Sequence, residues 1–200
     1  MPQDYSYSKK LRFEKLEIKH LEGNTFKSTD RSLEHFFYKK AFDNQKESLG
    51  LTEVAVYECC VAGFITVCSD SIELNEDEIK KCIPEKTPSY KTYGAVLIGR
   101  LDTHTDHRKK GVAKLLVGRQ ILKTAENNLK GIAPARFITV DSYTNSVNFY
   151  KSLGFQESTQ ESKQREYRDQ DTKKLYFDIF DKNASINAFM EEYAKQMISD

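Results

Sequence analysis

Two hundred residues suffice for one well-packed domain without disulfide or metal staples. Lys and Arg number 31 against 30 Asp and Glu, a formal charge of +1, so net charge gives no case for a nucleic-acid partner and leaves room only for a local basic patch. The four cysteines form no CxxC pair and no signal peptide or long apolar run is visible, which points to a reduced, cytoplasmic setting.

Residues 1–10 are polar and read as a frayed terminus. Leu11, Phe13, Leu16 and Ile18 suggest a first strand with a kink or bulge. Ser28-Thr29-Asp30 offers N-caps for a helix over 30–43, with Leu33, Phe36, Phe37 and Ala41 on one face. Leu51–Tyr57 and Val61–Cys68, separated by Glu58-Cys59-Cys60, predict an antiparallel hairpin. Residues 69–92 read as an excursion from the sheet, with Asn75 capping a short helix over 76–82 before Pro84 and Pro88.

Tyr93–Leu101 predicts the next strand, and Val112, Leu115, Leu116, Leu122, Ala125 and Leu129 keep to one helix face until Gly131 and Pro134. Arg136–Asp141 reads as a short buried strand of the parallel kind. Thr144 or Asn145 would cap a helix Ser146–Leu153, ended by Gly154. Phe155 and Lys173–Phe180 predict strands around a polar loop, 157–172. Ile186, Phe189, Met190, Tyr193 and Met197 predict a terminal amphipathic helix with Asn183 as cap, packed on its own domain or on a second subunit.

The connection from strand to helix at 104–113 carries the chemistry. Ala95-Val96-Leu97-Ile98 leads into His104-Thr105-Asp106-His107-Arg108-Lys109-Lys110-Gly111-Val112-Ala113. Such a turn aims unpaired backbone N–H groups and the positive end of a helix dipole at one spot, with three basic side chains around it. The expected guest is a phosphate or pyrophosphate; the plainer alternative is a connection bearing solvated charges. His104 and His107 lack further Cys or His ligands nearby, so no metal site is expected.

The element order, together with two motifs, resembles the GNAT superfamily of acetyl-CoA-dependent N-acetyltransferases. Its cofactor motif, Arg/Gln-x-x-Gly-x-Gly/Ala, is matched by Arg108-Lys109-Lys110-Gly111-Val112-Ala113. A second motif, Asn-x-x-x-Phe-Tyr-x-x-x-Gly-Phe, is matched by Asn145 through Phe155, close to thirty residues on and with a strand between. The resemblance spans 11–180. It implies a mixed α/β fold, a mostly antiparallel central sheet flanked by helices. The GNAT domain would then cover 1–182, with the extra C-terminal helix at 183–200.

The same resemblance implies acetyl-CoA as co-substrate. Backbone N–H groups of Lys109, Lys110, Gly111, Val112, Ala113 and Lys114 would hold the pyrophosphate, assisted by Arg108. Main-chain groups of Leu101 and Thr103 would meet the pantetheine arm like an added strand. Asn145 would contact the cofactor, serve as a helix cap, or both. Tyr150 would supply the proton that the departing thiolate needs, since a phenol with an ordinary pKa of about 10 stays protonated at neutral pH; otherwise it is a core aromatic beside Phe149. Glu53, Glu58 and Asp102 are carboxylates near these strands, but no spacing singles out a general base.

A narrower likeness, through Gly63-Phe64-Ile65-Thr66, the following excursion and Leu97-Ile98-Gly99-Arg100-Leu101, is to acetyltransferase toxins of bacterial toxin–antitoxin pairs, which act on aminoacyl-tRNA. Those toxins are shorter and more basic. The leading expectation is therefore N-acetylation of an amine by direct attack, in a homodimer. The alternatives are the tRNA-directed toxin and a non-catalytic CoA-binding module.

Overall fold

The computed structural model describes residues 5–83, 90–159, 172–181 and 190–191. It contains seven strands in the order β1-β2-β3-β4-β5-β7-β6, namely β1 Leu11–Lys15, β2 Leu51–Tyr57, β3 Cys60–Glu73, β4 Thr92–Thr103, β5 Phe137–Tyr143, β6 Gln156–Glu157 and β7 Thr172–Asp178. The helices are α1 Tyr5–Lys9, α2 Arg31–Lys39, α3 Ala41–Lys46, α4 Glu76–Cys82, α5 Val112–Leu129 and α6 Val147–Ser152. The fold is mixed α/β, with the pairs β1–β2, β2–β3, β5–β7 and β6–β7 antiparallel and β4–β5 parallel. The described residues fall into two compact units, one within Met1–Cys68 and Ile98–Gln120, the other within Ser69–Leu97 and Ile121–Glu192.

In the first unit β1, β2 and the first part of β3 form an antiparallel meander, and Glu58 (φ 54°) makes the two-residue hairpin turn with Cys59. Its inner face closes on α2 and α3 through Phe26, Phe36, Phe37, Val54, Val56 and Phe64. Phe26, Phe37 and Phe64 meet pairwise with ring centroids 4.9–5.3 Å apart. Each such fully buried ring contributes roughly 1.5–3 kcal/mol. Gly63 is required sterically: a Cβ there would lie 2.8 Å from the Asp102 carbonyl oxygen and 2.8 Å from Val112 Cγ1. Its absence lets β3 touch the end of β4 and the first residue of α5.

In the second unit β5 pairs in parallel with β4 (Ala95–Phe137, Val96–Ile138, Leu97–Thr139) and antiparallel with β7. Ile72, Leu74, Ile79, Ala95, Phe137 and Tyr176 form its core. Asn75 caps α4 by accepting from the N–H groups of Asp77 and Glu78, while Glu78 returns a bond to the Asn75 N–H.

Several local expectations change. The segment expected to fray contains α1, because Tyr7 stacks on Tyr57 at 4.6 Å. The first strand stops at Lys15; Ile18–His20 is a 3-10 turn in which the N–H of Glu17 donates to His20 Nδ1. The helix over 30–43 breaks at Lys40 (φ −129°), giving α2 and α3. β3 continues to Glu73 and β4 begins at Thr92, so residues 69–73 and Thr92 of the expected excursion belong to the sheet. Residues 84–89, most of the polar loop at 157–172 and the predicted C-terminal helix lie outside the described residues, apart from helical Met190 and Glu191.

Candidate active site

β4 ends at Thr103 and the chain enters a 3-10 turn, Thr105–His107, capped by His104, whose Nδ1 accepts from the Asp106 N–H at 3.0 Å. Arg108 is extended, whereas Lys109 (φ 62°) and Gly111 (φ 84°) are both left-handed. Gly111 takes that conformation freely; a lysine there stores on the order of 1 kcal/mol, a strain typical of ligand-binding turns. α5 then begins, and its first helical bond runs from the Leu115 N–H to the Gly111 carbonyl at 3.0 Å. Among the described residues, the amides of Lys109 through Ala113 donate to no backbone carbonyl outside the helix. They are the orphan donors of a helix N-terminus and suit an anion.

Arg108, Lys109 and Lys110 are exposed around this turn. The Lys110 ammonium lies 5.1 Å over the ring of Tyr7, whose hydroxyl is 2.5 Å from His107 Nδ1. Burial pushes the Tyr7 hydroxyl pKa up, with the neighbouring Tyr57 adding to it. Burial, followed by the charge of Lys110, holds His107 below the usual histidine range. The Tyr7 hydroxyl and His107 Nδ1 share one hydrogen bond, whose direction follows the tautomer of His107.

Leu101 and Thr103 are half-buried near the end of β4. Among the described residues of the first unit, the sheet ends at β4, so their outer main-chain edge has no strand partner there. An extended amide-bearing ligand can add to such an edge as a strand would. Asp102, between them, is buried; burial raises its pKa, opposed by bonds from the Ser28 hydroxyl and the Thr103 N–H.

Tyr150 belongs to the second unit, on α6. The spacing Tyr150-x-x-x-Gly154-Phe155 has a structural reason. The Phe155 N–H donates to the Tyr150 carbonyl at 3.1 Å and the Gly154 N–H to the Lys151 carbonyl at 3.0 Å, a Schellman closure with Gly154 at φ 99°. The side chain is 6% exposed and packed edge-on to Phe149 and Phe155. Its hydroxyl has no hydrogen-bond partner among the described residues, and burial raises its pKa, which keeps the proton on at neutral pH.

Asn145 does not cap α6. It sits exposed in a 3-10 turn, Thr144–Ser146, where its Oδ1 accepts from the Ser146 hydroxyl at 3.1 Å, and Ser146 takes the cap position without a side-chain bond. Of the three carboxylates, buried Glu53 is occupied by Arg119 (3.0 and 3.1 Å) and Gln120 (2.8 Å). Glu58 shapes the hairpin turn, and its carbonyl accepts from Arg12 at 3.0 Å. Tyr7, His104 and Gly63 all bear on the turn or on the strand end beside it. None was legible as such, because the partners Tyr7–His107, His104–Thr25, His104–Ala62 and Gly63–Asp102 lie 39 to 100 positions apart.

Residues 90–175 match the family model described as Acetyltransferase (GNAT) domain. Over that stretch the chain is similar to GNAT acetyltransferase domains. The matched stretch contains both the turn at 108–113 and Tyr150.

Three solved structures share the fold: AtaT complexed with acetyl-methionyl-tRNAfMet (19% identity, 84% of this chain and 94% of that one, TM-score 0.64), a point mutant of KacT (15%, 92% and 98%, 0.66) and AtaTR bound with AcCoA (19%, 90% and 98%, 0.64). At these identities the likeness is one of fold. No curated protein matches the chain in sequence. Among the described residues, no helix is long and apolar enough to cross a membrane.

Proposed function

We propose that the protein is an acetyl-CoA-dependent N-acetyltransferase acting on a primary amine by direct attack in a ternary complex. The observation that carries this reading is the turn of Arg108–Ala113, with left-handed Lys109 and Gly111 opening α5 inside the GNAT-matched stretch. Acetyl-CoA, when bound, supplies a thioester activated toward amines. The amides of Lys109 through Lys114 and the Arg108 guanidinium hold the diphosphate, and the open edge at Leu101 and Thr103 holds the pantetheine amides. Asn145, exposed in its turn, is an additional coenzyme contact. As the new C–N bond forms and the C–S bond breaks, Tyr150 gives its proton to the leaving sulfur, and the amine's proton passes to solvent.

Calorimetry with acetyl-CoA, followed by thiol release with a panel of amines, tests the proposal. Binding is expected for the unaltered protein and its loss for Gly111→Val, which places a branched side chain at φ 84°. No binding by the unaltered protein, or equal binding by a folded Gly111→Val variant, refutes the coenzyme site. Binding without turnover on any amine favours a CoA-binding module.

A second reading has a specific support. AtaT, with which this chain shares its fold, is seen with an acetylated methionyl-tRNA. It supports an aminoacyl-tRNA as the amine. Expression in a bacterial host should then arrest growth, and Tyr150→Phe should relieve the arrest; a harmless unaltered protein argues against this acceptor. We also propose a homodimer, measurable by sedimentation.

A further inference from the structure

The turn that leads from β4 to α5 is held from behind by a histidine that the proposed reaction does not use. His104 is 6% exposed, and both of its ring nitrogens are committed. Nε2 lies 2.9 Å from the Thr25 carbonyl oxygen, and Nδ1 is 3.0 Å from the Asp106 N–H. A carbonyl only accepts and an amide N–H only donates. The ring is therefore the neutral Nε2–H tautomer, with the Nδ1 lone pair on Asp106.

Its backbone is equally engaged. The His104 N–H donates to the Ala62 carbonyl at 2.9 Å, and its carbonyl accepts from the His107 N–H at 2.9 Å. On either side, the Thr105 N–H donates to the Lys27 carbonyl at 3.0 Å and the Ser28 hydroxyl donates to Asp102. The ring stands edge-on to Phe26, with centroids 6.0 Å apart, and to His107 at 5.3 Å. The exit of β4 is thus tied to residues 25–28, the lead-in to α2. The cap on Asp106 is a bond from a buried side chain that shapes the turn Thr105–His107 from inside.

We propose that His104 is a positioning residue for the coenzyme: its Nδ1 cap on Asp106 fixes the path of Thr105–His107 and with it the place where the amides of the next turn present themselves to the diphosphate. This rests on the reading of 108–113 as the coenzyme turn. The ring touches no reacting atom, so its loss acts on coenzyme binding and leaves the chemical step alone.

Two substitutions separate the two ring nitrogens. In His104→Asn, Oδ1 takes the place of Nδ1 and can still accept from Asp106. In His104→Gln, the amide reaches the position of Nε2 and can donate to Thr25, but the cap is lost. Calorimetry with CoA is run on the unaltered protein first, then on both variants alongside thermal melts and steady-state kinetics.

The expected result is that His104→Asn binds within about twofold of the unaltered protein while His104→Gln binds about tenfold more weakly, a difference of about 1.4 kcal/mol. KM for acetyl-CoA should follow the affinities, and kcat at saturation should hold. Equal affinities for the two variants overturn the inference, as does a fall in saturated kcat in the Gln variant. If the unaltered protein does not bind CoA, the coenzyme reading fails at the first step; if it binds and the pair does not separate, only the role of His104 fails.

Discussion

Tyr150 is placed by its backbone before its side chain makes any contact. Its carbonyl receives the bond that ends α6, and Gly154 must be left-handed for that closure to form. The ring is thereby fixed, buried among aromatic neighbours with its hydroxyl unclaimed among the described residues. Tyr150→Phe keeps the packing and removes the proton. Turnover should fall by about 10²-fold or more while coenzyme affinity stays within about twofold; unchanged turnover removes the role.

His107 gives a pH prediction whose sign follows from its surroundings. Burial and then Lys110 lower its folded-state pKa, while Asp106 and Glu58 act the other way. Below the ordinary value of about 6.5 the unfolded chain takes a proton that the folded chain refuses. The stability from this site is therefore present above pH ~6.5 and lost as the pH falls through the lower, folded-state pKa. Thermal midpoints measured from pH 7.5 to 5 should fall less steeply for His107→Gln than for the unaltered protein. Parallel curves would show that His107 does not titrate in that window.

At the scale of elements, cap chemistry is local and was legible; breaks imposed from outside were not. Asp30 accepts from the N–H groups of Ser32 and Leu33, and Asn75 caps α4 in the same way, both as their side chains predict. Asp30→Ala should cost about 1 kcal/mol and lower the thermal midpoint by roughly 2–4 °C; an unchanged midpoint would mean that water replaces the cap without loss. By contrast, nothing local marks Lys40 as a break. α3 turns there so that Ala41 reaches full burial and Gln45 bonds the Leu16 carbonyl and the Thr52 N–H. The extension of β3 to Glu73 is likewise a tertiary outcome: Ile72 and Leu74 join the core of the second unit, and Asp70 accepts from Thr139 on β5 at 2.5 Å.

For the molecule as a whole, a charge of +1 conceals a concentrated positive site. Arg108, Lys109 and Lys110 are exposed side by side at a helix N-terminus. Coenzyme affinity should therefore depend on salt although the protein is nearly neutral. Raising ionic strength from about 0.1 M to about 1 M shortens the screening length from about 10 Å to about 3 Å and should weaken binding several-fold. Lys109→Gln combined with Lys110→Gln should flatten that dependence. A salt-insensitive affinity would assign the phosphate contact to the amides alone.

The sequence by itself determined the order of the strands and of the helices that follow the first strand, save the break at Lys40, together with the Asp30 and Asn75 caps and the two motifs, because periodicity, cap chemistry and glycine placement act within a few residues. Only the tertiary structure decided that Lys109 is left-handed beside Gly111, that Gly63 admits the end of β4, that Tyr7 and His104 brace the turn, and that Asn145 leaves the cap of α6 to Ser146. The physical reason is distance along the chain. A strained lysine φ, a missing Cβ or a histidine tautomer acquires its meaning from a partner tens of residues away, and no local pattern records where that partner will be.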